Sequence, residues 1–224
     1  MCTRAVYHGP EGTIITVRSM DWMSDLGSNL WIFPRGMSRT GAVHPGGITW
    51  TSKYGSVVAT AFEAATTDGM NEKGLVANLL YLAESDYGDA AALVKSKPGL
   101  CISDWAQYVL DNFATVAAAV KALRKEPFFV APAMSPDGHA GTVHLAITDP
   151  TGDIAIFEYI GGRLTIHHGP EFHVMTNSPV YHEQLALNKY WQGIGGTTML
   201  PGTNRAADRF VRASFYVDAV TKTA

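Results

Sequence analysis

The sequence predicts an α+β fold in four layers, two mainly antiparallel sheets sandwiched between helices (αββα). Three observations carry that expectation. Strand-patterned segments collect in the first third of the chain and again between residues 142 and 168, each block followed by helical sequence, so the order is sheet, helices, sheet, helix. Clusters of Gly, Pro, Asn and Asp punctuate these segments at short intervals, as antiparallel connections require. No repeat, low-complexity run or Pro/Ser-rich linker divides the 224 residues, which are 46% hydrophobic and 17% charged, so a single domain over residues 1–224 with a sizeable core is expected. Composition alone would equally allow an ordinary α+β arrangement.

Taken in order, Cys2 to His8 and Thr13 to Met20 are alternating or β-branched and bracket Gly9-Pro10-Glu11-Gly12, which reads as a hairpin. Lys53 to Phe62 and Gly74 to Leu82 read as two further strands joined through Asp68 to Gly74, a turn, giving a first sheet of at least four strands. Ser103-Asp104 can cap a helix to about Asn112. Thr115 can cap a second to about Lys125, with Val116, Ala119, Val120 and Leu123 at helical spacing before Pro127 and Pro132. Thr142 to Thr148, Asp153 to Tyr159 and Arg163 to His168 form a meander through Asp149-Pro150-Thr151-Gly152 and Gly161-Gly162, the expected second sheet. A last helix, about Arg205 to Val220, puts Ala207, Phe210, Val211, Ser214 and Val217 on one face.

Subtracting 20 Asp and Glu from 17 Lys and Arg gives −3 with His neutral, too mild for a nucleic-acid or anionic-membrane partner. No apolar run has the length of a membrane span, and the first residues lack the layout of a secretory signal. The His residues show no H-x-x-x-H spacing and the two cysteines no C-x-x-C, so neither a metal nor a cofactor is expected. Cys101 reads as an inert buried thiol.

Cys2 stands apart. A small residue after the initiator methionine is the setting in which that methionine is normally removed, leaving a cysteine with a free α-amine. Ordinary pKa values of about 8 for the amine and about 8.5 for the thiol let the amine accept the thiol proton near neutrality. Nucleophile and base then belong to one residue. A hairpin centred between Pro10 and Glu11 places Cys2 opposite Ser19, and a slip of a residue or two brings Arg18 and Asp21 alongside. An Arg can hold a thiolate and an Asp can orient the amine. An incidental cysteine beside a surface ion pair fits the same spacing.

The motifs Met1-Cys2-Thr3-Arg4, Arg18-Ser-Met-Asp21-Trp22, Asn29-Leu-Trp-Ile-Phe-Pro34-Arg35-Gly36, Asp68-Gly-Met-Asn-Glu-Lys-Gly-Leu75, Thr176-Asn-Ser-Pro179 and Arg209-Phe-Val-Arg212 occur in this order. Together they resemble the choloylglycine hydrolase family, which contains penicillin V acylases and conjugated bile salt hydrolases and belongs to the N-terminal-nucleophile hydrolases. The resemblance implies an αββα fold of that type and hydrolysis of a small-molecule linear amide without a cofactor. It implies Cys2 as nucleophile, Arg18 and Asp21 around its thiol and amine, Asn177 as oxyanion donor, Tyr81 as second oxyanion contributor through its backbone N–H, and Arg209 as organiser of the site. Without the resemblance Asn177 reads as a turn residue. Arg212 reads as structural.

Bile salt hydrolases resemble one another in carrying Asn where this chain has Tyr81, and penicillin V acylases in carrying Tyr. Tyr81 and Trp22, with Trp31-Ile32-Phe33, are therefore expected to line an aromatic acyl pocket for phenoxyacetyl or long-acyl amides, acyl homoserine lactones included. A conjugated bile salt hydrolase and a non-catalytic ligand-binding member are the alternatives, and a homo-oligomer is left open. Against the family pattern the chain is expected to be short of C-terminal strands. A cytoplasmic location follows if Met1 is the native start, a periplasmic one if an export signal was removed.

Overall fold

The computed structural model describes residues 1–195 and 198–220. Strands β1 (Cys2–His8) and β2 (Ile14–Met20) form the expected hairpin. Its connection holds an odd number of residues, 9 to 13, closed by Gly9 N–H to Thr13 O and Thr13 N–H to Pro10 O, so Cys2 pairs with Met20 and Arg4 with Arg18. The register is one residue away from the expected pairing with Ser19. Because side chains alternate, that residue decides the face: Cys2, Arg4, Arg18 and Met20 share one side, and Ser19 points to the other.

Along the chain there follow β3 (Leu30–Phe33), β4 (Ser38–Thr40), β5 (Thr49–Thr51), β6 (Ser56–Ala61), β7 (Ala65–Asn71) and β8 (Val76–Tyr81). Next come α1 (Ala90–Leu93), β9 (Gly99–Cys101), α2 (Ile102–Asn112), α3 (Val116–Leu123) and β10 (Phe129–Ala131). The meander strands are β11 (Val143–Thr148), β12 (Ile154–Ile160) and β13 (Arg163–His168), and the chain continues through β14 (Val174–Met175), α4 (Tyr181–Gly193) and α5 (Ala206–Ala219).

Two expectations about the sheets are overturned. The hairpin pairs only with β14, in the order β14-β1-β2, whereas the meander joins β8, β7, β6 and β3 in one antiparallel sheet of order β13-β12-β11-β8-β7-β6-β3. The partition into sheets does not follow chain blocks. The segment from Asp68 is also not a turn, since Ala65–Asn71 is a strand and the reversals fall at Phe62-Glu63, both with positive φ, and at Asn71 to Gly74. Gly69 serves a close approach instead: a Cβ there would lie 2.7 Å from Val58 Cγ1 and 2.8 Å from Leu110 Cδ1 of the overlying helix.

Helix α2 begins at Ile102 with Cys101 as its N-cap residue, ahead of the expected Ser103-Asp104 cap, and Cys101 is half-buried rather than buried. Thr115 does cap α3, accepting from Ala118 N–H at 3.2 Å. On one face of the large sheet Ala77, Leu79, Leu145, Ile147 and Phe157 pack against Val109, Leu110, Val116 and Val120 of α2 and α3. The other face meets β1 and β14, behind which lie Tyr181 of α4 and Phe210 of α5. The layers are therefore αββα. Three strands cannot cover seven, and Ile32, Val57 and Met70, neighbours across β3, β6 and β7, are 80%, 48% and 53% exposed.

Candidate active site

Cys2 is buried at the start of β1, in the layer between the sheets. Alternation turns Cys2 and Arg4 toward the large sheet, and from its odd-numbered neighbour Thr3 the hydroxyl meets α5. The Cys2 nitrogen is a peptide N–H, bonded to Met1, and occupies the position a free α-amine would take once Met1 is removed. It donates to Asn177 Oδ1 at 2.8 Å. The Cys2 carbonyl accepts from Arg209 Nη1, which also donates to Thr3 Oγ1 at 2.8 Å. Arg209 Nη2 donates to the same Asn177 oxygen at 2.8 Å. Asn177 follows β14 and precedes Ser178-Pro179, and its amide nitrogen donates to the Tyr81 carbonyl at 2.7 Å. Strand end, inner strand and helix start are thus tied to the main chain of one residue.

The sulfur faces a second guanidinium. Arg18 Nη2 lies 3.6 Å from Cys2 Sγ and donates to the Leu79 carbonyl at 2.8 Å, while Nη1 meets Asp68 Oδ2 at 2.6 Å. Asp68 Oδ1 accepts from Asn78 Nδ2 at 2.8 Å, and Asn78 Oδ1 accepts from Arg4 Nε at 3.0 Å. Arg4 is fully buried and also donates to Thr148 Oγ1; burial lowers its pKa to about 10, against the attraction of Tyr181 and Asp68. Burial likewise lowers the Arg209 pKa, with Cys2 opposing. On the far side of Asn177, His144 Nε2 contacts the Thr176 carbonyl at 2.9 Å and His144 Nδ1 meets Glu158 Oε1 at 3.0 Å.

Arg18, Asn177, Tyr81 and Arg209 therefore gather around Cys2 as the sequence implied, and Arg212 turns away to the Pro201 carbonyl. Asp21 shares the cavity with Cys2 and meets Met1. Its carbonyl accepts from the Met1 amine, its exposed carboxylate lies 3.9 Å from that amine, and among the described residues no hydrogen bond links the carboxylate to Cys2. Asp68 and Asn78 escape a reading of the sequence, the first because Asp-Gly signals a turn and the second because a place on a strand does not reveal a side-chain partner.

Two cavities meet at Asp21, Trp22 and Tyr81. One, about 370 Å³, is lined by Cys2, Trp22, Phe62, Leu79, Ile102 and Val143, among others. The other, about 520 Å³, includes Met1, His139, Asn177, Ser178 and Arg209. Trp22 stacks at a tilt on Tyr81, ring centres 5.4 Å apart. The expected contribution of Trp31-Ile32-Phe33 is not found: Trp31 and Phe33 line a separate cavity of about 220 Å³ beside Arg39, and Ile32 is exposed because β3 is the sheet edge. Phe62 supplies the aromatic wall in their place.

A buried cysteine heading the inner strand of an αββα sandwich, its nitrogen and carbonyl both clamped, is the arrangement of the N-terminal-nucleophile hydrolase fold. Residues 2–224 match the linear amide C-N hydrolases, choloylglycine hydrolase family, and the chain belongs to that family. It is 55% identical over 228 residues to a penicillin V acylase of Pectobacterium atrosepticum, covering 98% of this chain and 60% of the relative. It is 27% identical over 248 residues to a bile salt hydrolase/transferase of Clostridium perfringens, covering 99% and 73%. The solved penicillin V acylase of Agrobacterium tumefaciens superposes with a TM-score of 0.90 at 57% identity, covering 99% of this chain and 67% of that one. A conjugated bile acid hydrolase of Clostridium perfringens superposes at 0.80 with 25% identity, covering 98% and 72%. The chain thus spans about 60% of the length of the first of these relatives.

Proposed function

We propose that this site hydrolyses a linear, non-peptide amide through a Cys2 thioester, with the substrate preference of a penicillin V acylase. The observation that carries the reading is the Cys2 nitrogen, held 2.8 Å from Asn177 Oδ1 while the sulfur borders an apolar cavity. With Met1 removed, that nitrogen takes the thiol proton and the thiolate attacks the acyl carbonyl. The second N–H of the Asn177 amide and the Tyr81 N–H hold the oxyanion. The C–N bond breaks, the amine leaves with the proton from the Cys2 ammonium, and the acyl group stays as a thioester. Water then attacks it, the Cys2 amine again acting as base, and a carboxylic acid and the free thiol result. Arg18 steadies the sulfur, Arg209 the Cys2 main chain, and Asp21, beside the Met1 amine here, takes up the Cys2 amine once Met1 is removed. Residues 1–224 act in this reading as one domain, since both sheets share the layer that holds Cys2.

The acyl group fits the 370 Å³ cavity, where Trp22, Phe62 and Tyr81 favour phenoxyacetyl or medium to long acyl chains through apolar burial at about 25 cal/mol per Å². Acyl homoserine lactones meet that description. The deciding experiment measures kcat/KM for phenoxyacetyl amides and for glycine- or taurine-conjugated bile acids on one preparation whose intact mass shows loss of Met1. The phenoxyacetyl class is expected to be faster. A preference for conjugated bile acids reverses the substrate assignment, and a Met1-free protein that hydrolyses neither class identifies a non-catalytic binding member.

A further inference from the structure

Besides Phe62 and Ala64 of the β6–β7 reversal, two loops line the 370 Å³ cavity, and one carboxylate joins them. The loop after β2 contributes Trp22 and Leu26, and the loop after β10 contributes Met134, Ser135 and Ala140. Asp137, at the tip of the second loop, accepts on Oδ2 from Trp22 Nε1 and from Ser24 Oγ, each at 2.7 Å. On Oδ1 it accepts from Ser135 Oγ and from the His139 backbone N–H at 3.4 Å, and it meets His139 Nδ1 at 3.1 Å. Among the described residues, every hydrogen bond between the two loops ends on Asp137. The His139 ring closes the arrangement by standing edge-on to Trp22, centres 5.7 Å apart. The bonds from Ser135, Ser24 and Trp22 hold the Asp137 carboxyl far below the usual carboxylate range, so it is an anion at every working pH.

Trp22 is also the wall shared by the two cavities, packed on Tyr81. Ring contacts with Tyr81 and His139 leave the orientation of the indole within its plane to the bond on its N–H. Resting on the hydrolase reading above, we propose that Asp137 is a specificity-determining positioning residue, a clasp that fixes the Trp22 indole across the acyl cavity and so sets its fit to flat or flexible apolar acyl groups. Asp137 touches neither substrate nor Cys2 in this role; it acts through Trp22.

Asp137→Ala tests this closely, because it removes both acceptor oxygens, whereas an Asn could keep the Trp22 and Ser24 bonds by turning its carbonyl oxygen toward them. The ratio of kcat/KM for a phenoxyacetyl amide to that for the acetyl amide of the same amine should fall about tenfold, mainly through KM, as expected for loss of a charged hydrogen bond that orients the ring. Trp22→Phe lacks the indole N–H, so adding Asp137→Ala to it should cause no further fall in the ratio. Ser24→Ala, which leaves the Trp22 bond intact, should shift the ratio in the same direction by less, and it replaces Asp137→Ala if that variant fails to fold. A fall that is equal for both amides, or that adds fully to Trp22→Phe, overturns the proposal. Calorimetric binding of phenoxyacetic acid separates this outcome from failure of the hydrolase reading. Binding by the wild-type chain that weakens about tenfold in Asp137→Ala supports the clasp even without turnover. Unchanged binding, or none to the wild type, overturns it.

Discussion

The two faces of the large sheet are built from the same strands and do different things. On the helix side Ala77, Leu79, Leu145, Ile147, Phe157 and Tyr159 form an apolar layer with α2 and α3. On the other side the alternate residues of those strands mix Leu80, Ala146 and Ile156, packed on β1 and β14, with Asn78, His144, Thr148 and Glu158, all buried and bound to Arg4, Asp68, Thr176 or Tyr181. Buried charges and amides stabilise little compared with apolar packing, and they demand fixed partners. Both sides therefore contribute apolar packing, and the inner side adds the polar network that holds the atoms around Cys2 in place.

The sharpest way to break the comparison is to cut once on each side. Cys2→Ser should lower turnover by about 10⁴-fold or more while the melting temperature stays close to wild type, since a hydroxyl beside a weak amine base is a poor nucleophile. Leu110→Ala, in the helix layer, should do the reverse, costing about 2 to 5 kcal/mol of stability in denaturant titration with kcat little changed below the transition. If Leu110→Ala also abolished turnover in folded protein, the two faces would not be separable. Asn177→Ala should cost roughly 10² to 10³ in kcat as a lost oxyanion donor, and an unchanged kcat would return Asn177 to the turn.

A fourth prediction concerns pH. Burial alone would raise the Glu158 pKa, but hydrogen bonds from His144 and the Tyr181 N–H, with His167 Nε2 nearby at 3.6 Å, outweigh it and hold the carboxyl down to about 2, against 4.5 for the free group. A depressed folded pKa means that Glu158 stabilises the fold fully above about pH 4.5 and loses that contribution as pH falls toward 2, a difference of about 3 kcal/mol. Denaturant midpoints measured between pH 7 and pH 2 should decline over this window in the wild type. Glu158→Gln should start lower and decline less, and parallel curves would remove Glu158 from the account. The smallest effect is expected at the uncovered strip: Met70→Lys should reduce self-association in sedimentation without altering kcat, because an open apolar sheet face invites association.

Local elements and the residues around Cys2 were legible in the sequence, while the sheet partition was not. Turn clusters and two-residue alternation mark the hairpin, the meander and the capped helix from Val116, because each of these is decided by neighbours in the chain. Which strands share a sheet is decided at long range, and nothing local told that β8 pairs with β11 while the hairpin turns to β14. Asp68-Gly69 read as a turn because the demand for glycine comes from Leu110 lying over it, a contact invisible along the chain. The helix from Tyr181 went unread because few of its residues are buried. Motif order found Cys2, Arg18, Asn177 and Arg209. It could not find Asp137, whose worth lies in the donors that converge on it from two loops.

The first residue ends up deep in the matter of activation. Met1 lines the 520 Å³ cavity beside Asn177 and Arg209, and its amine is tethered to the Asp21 carbonyl. On the proposed mechanism a single peptide-bond cleavage would then liberate the base and take away one wall of that cavity together. In that reading the precursor chain carries the whole constellation with its base still locked in an amide, and removing one residue is the arming step.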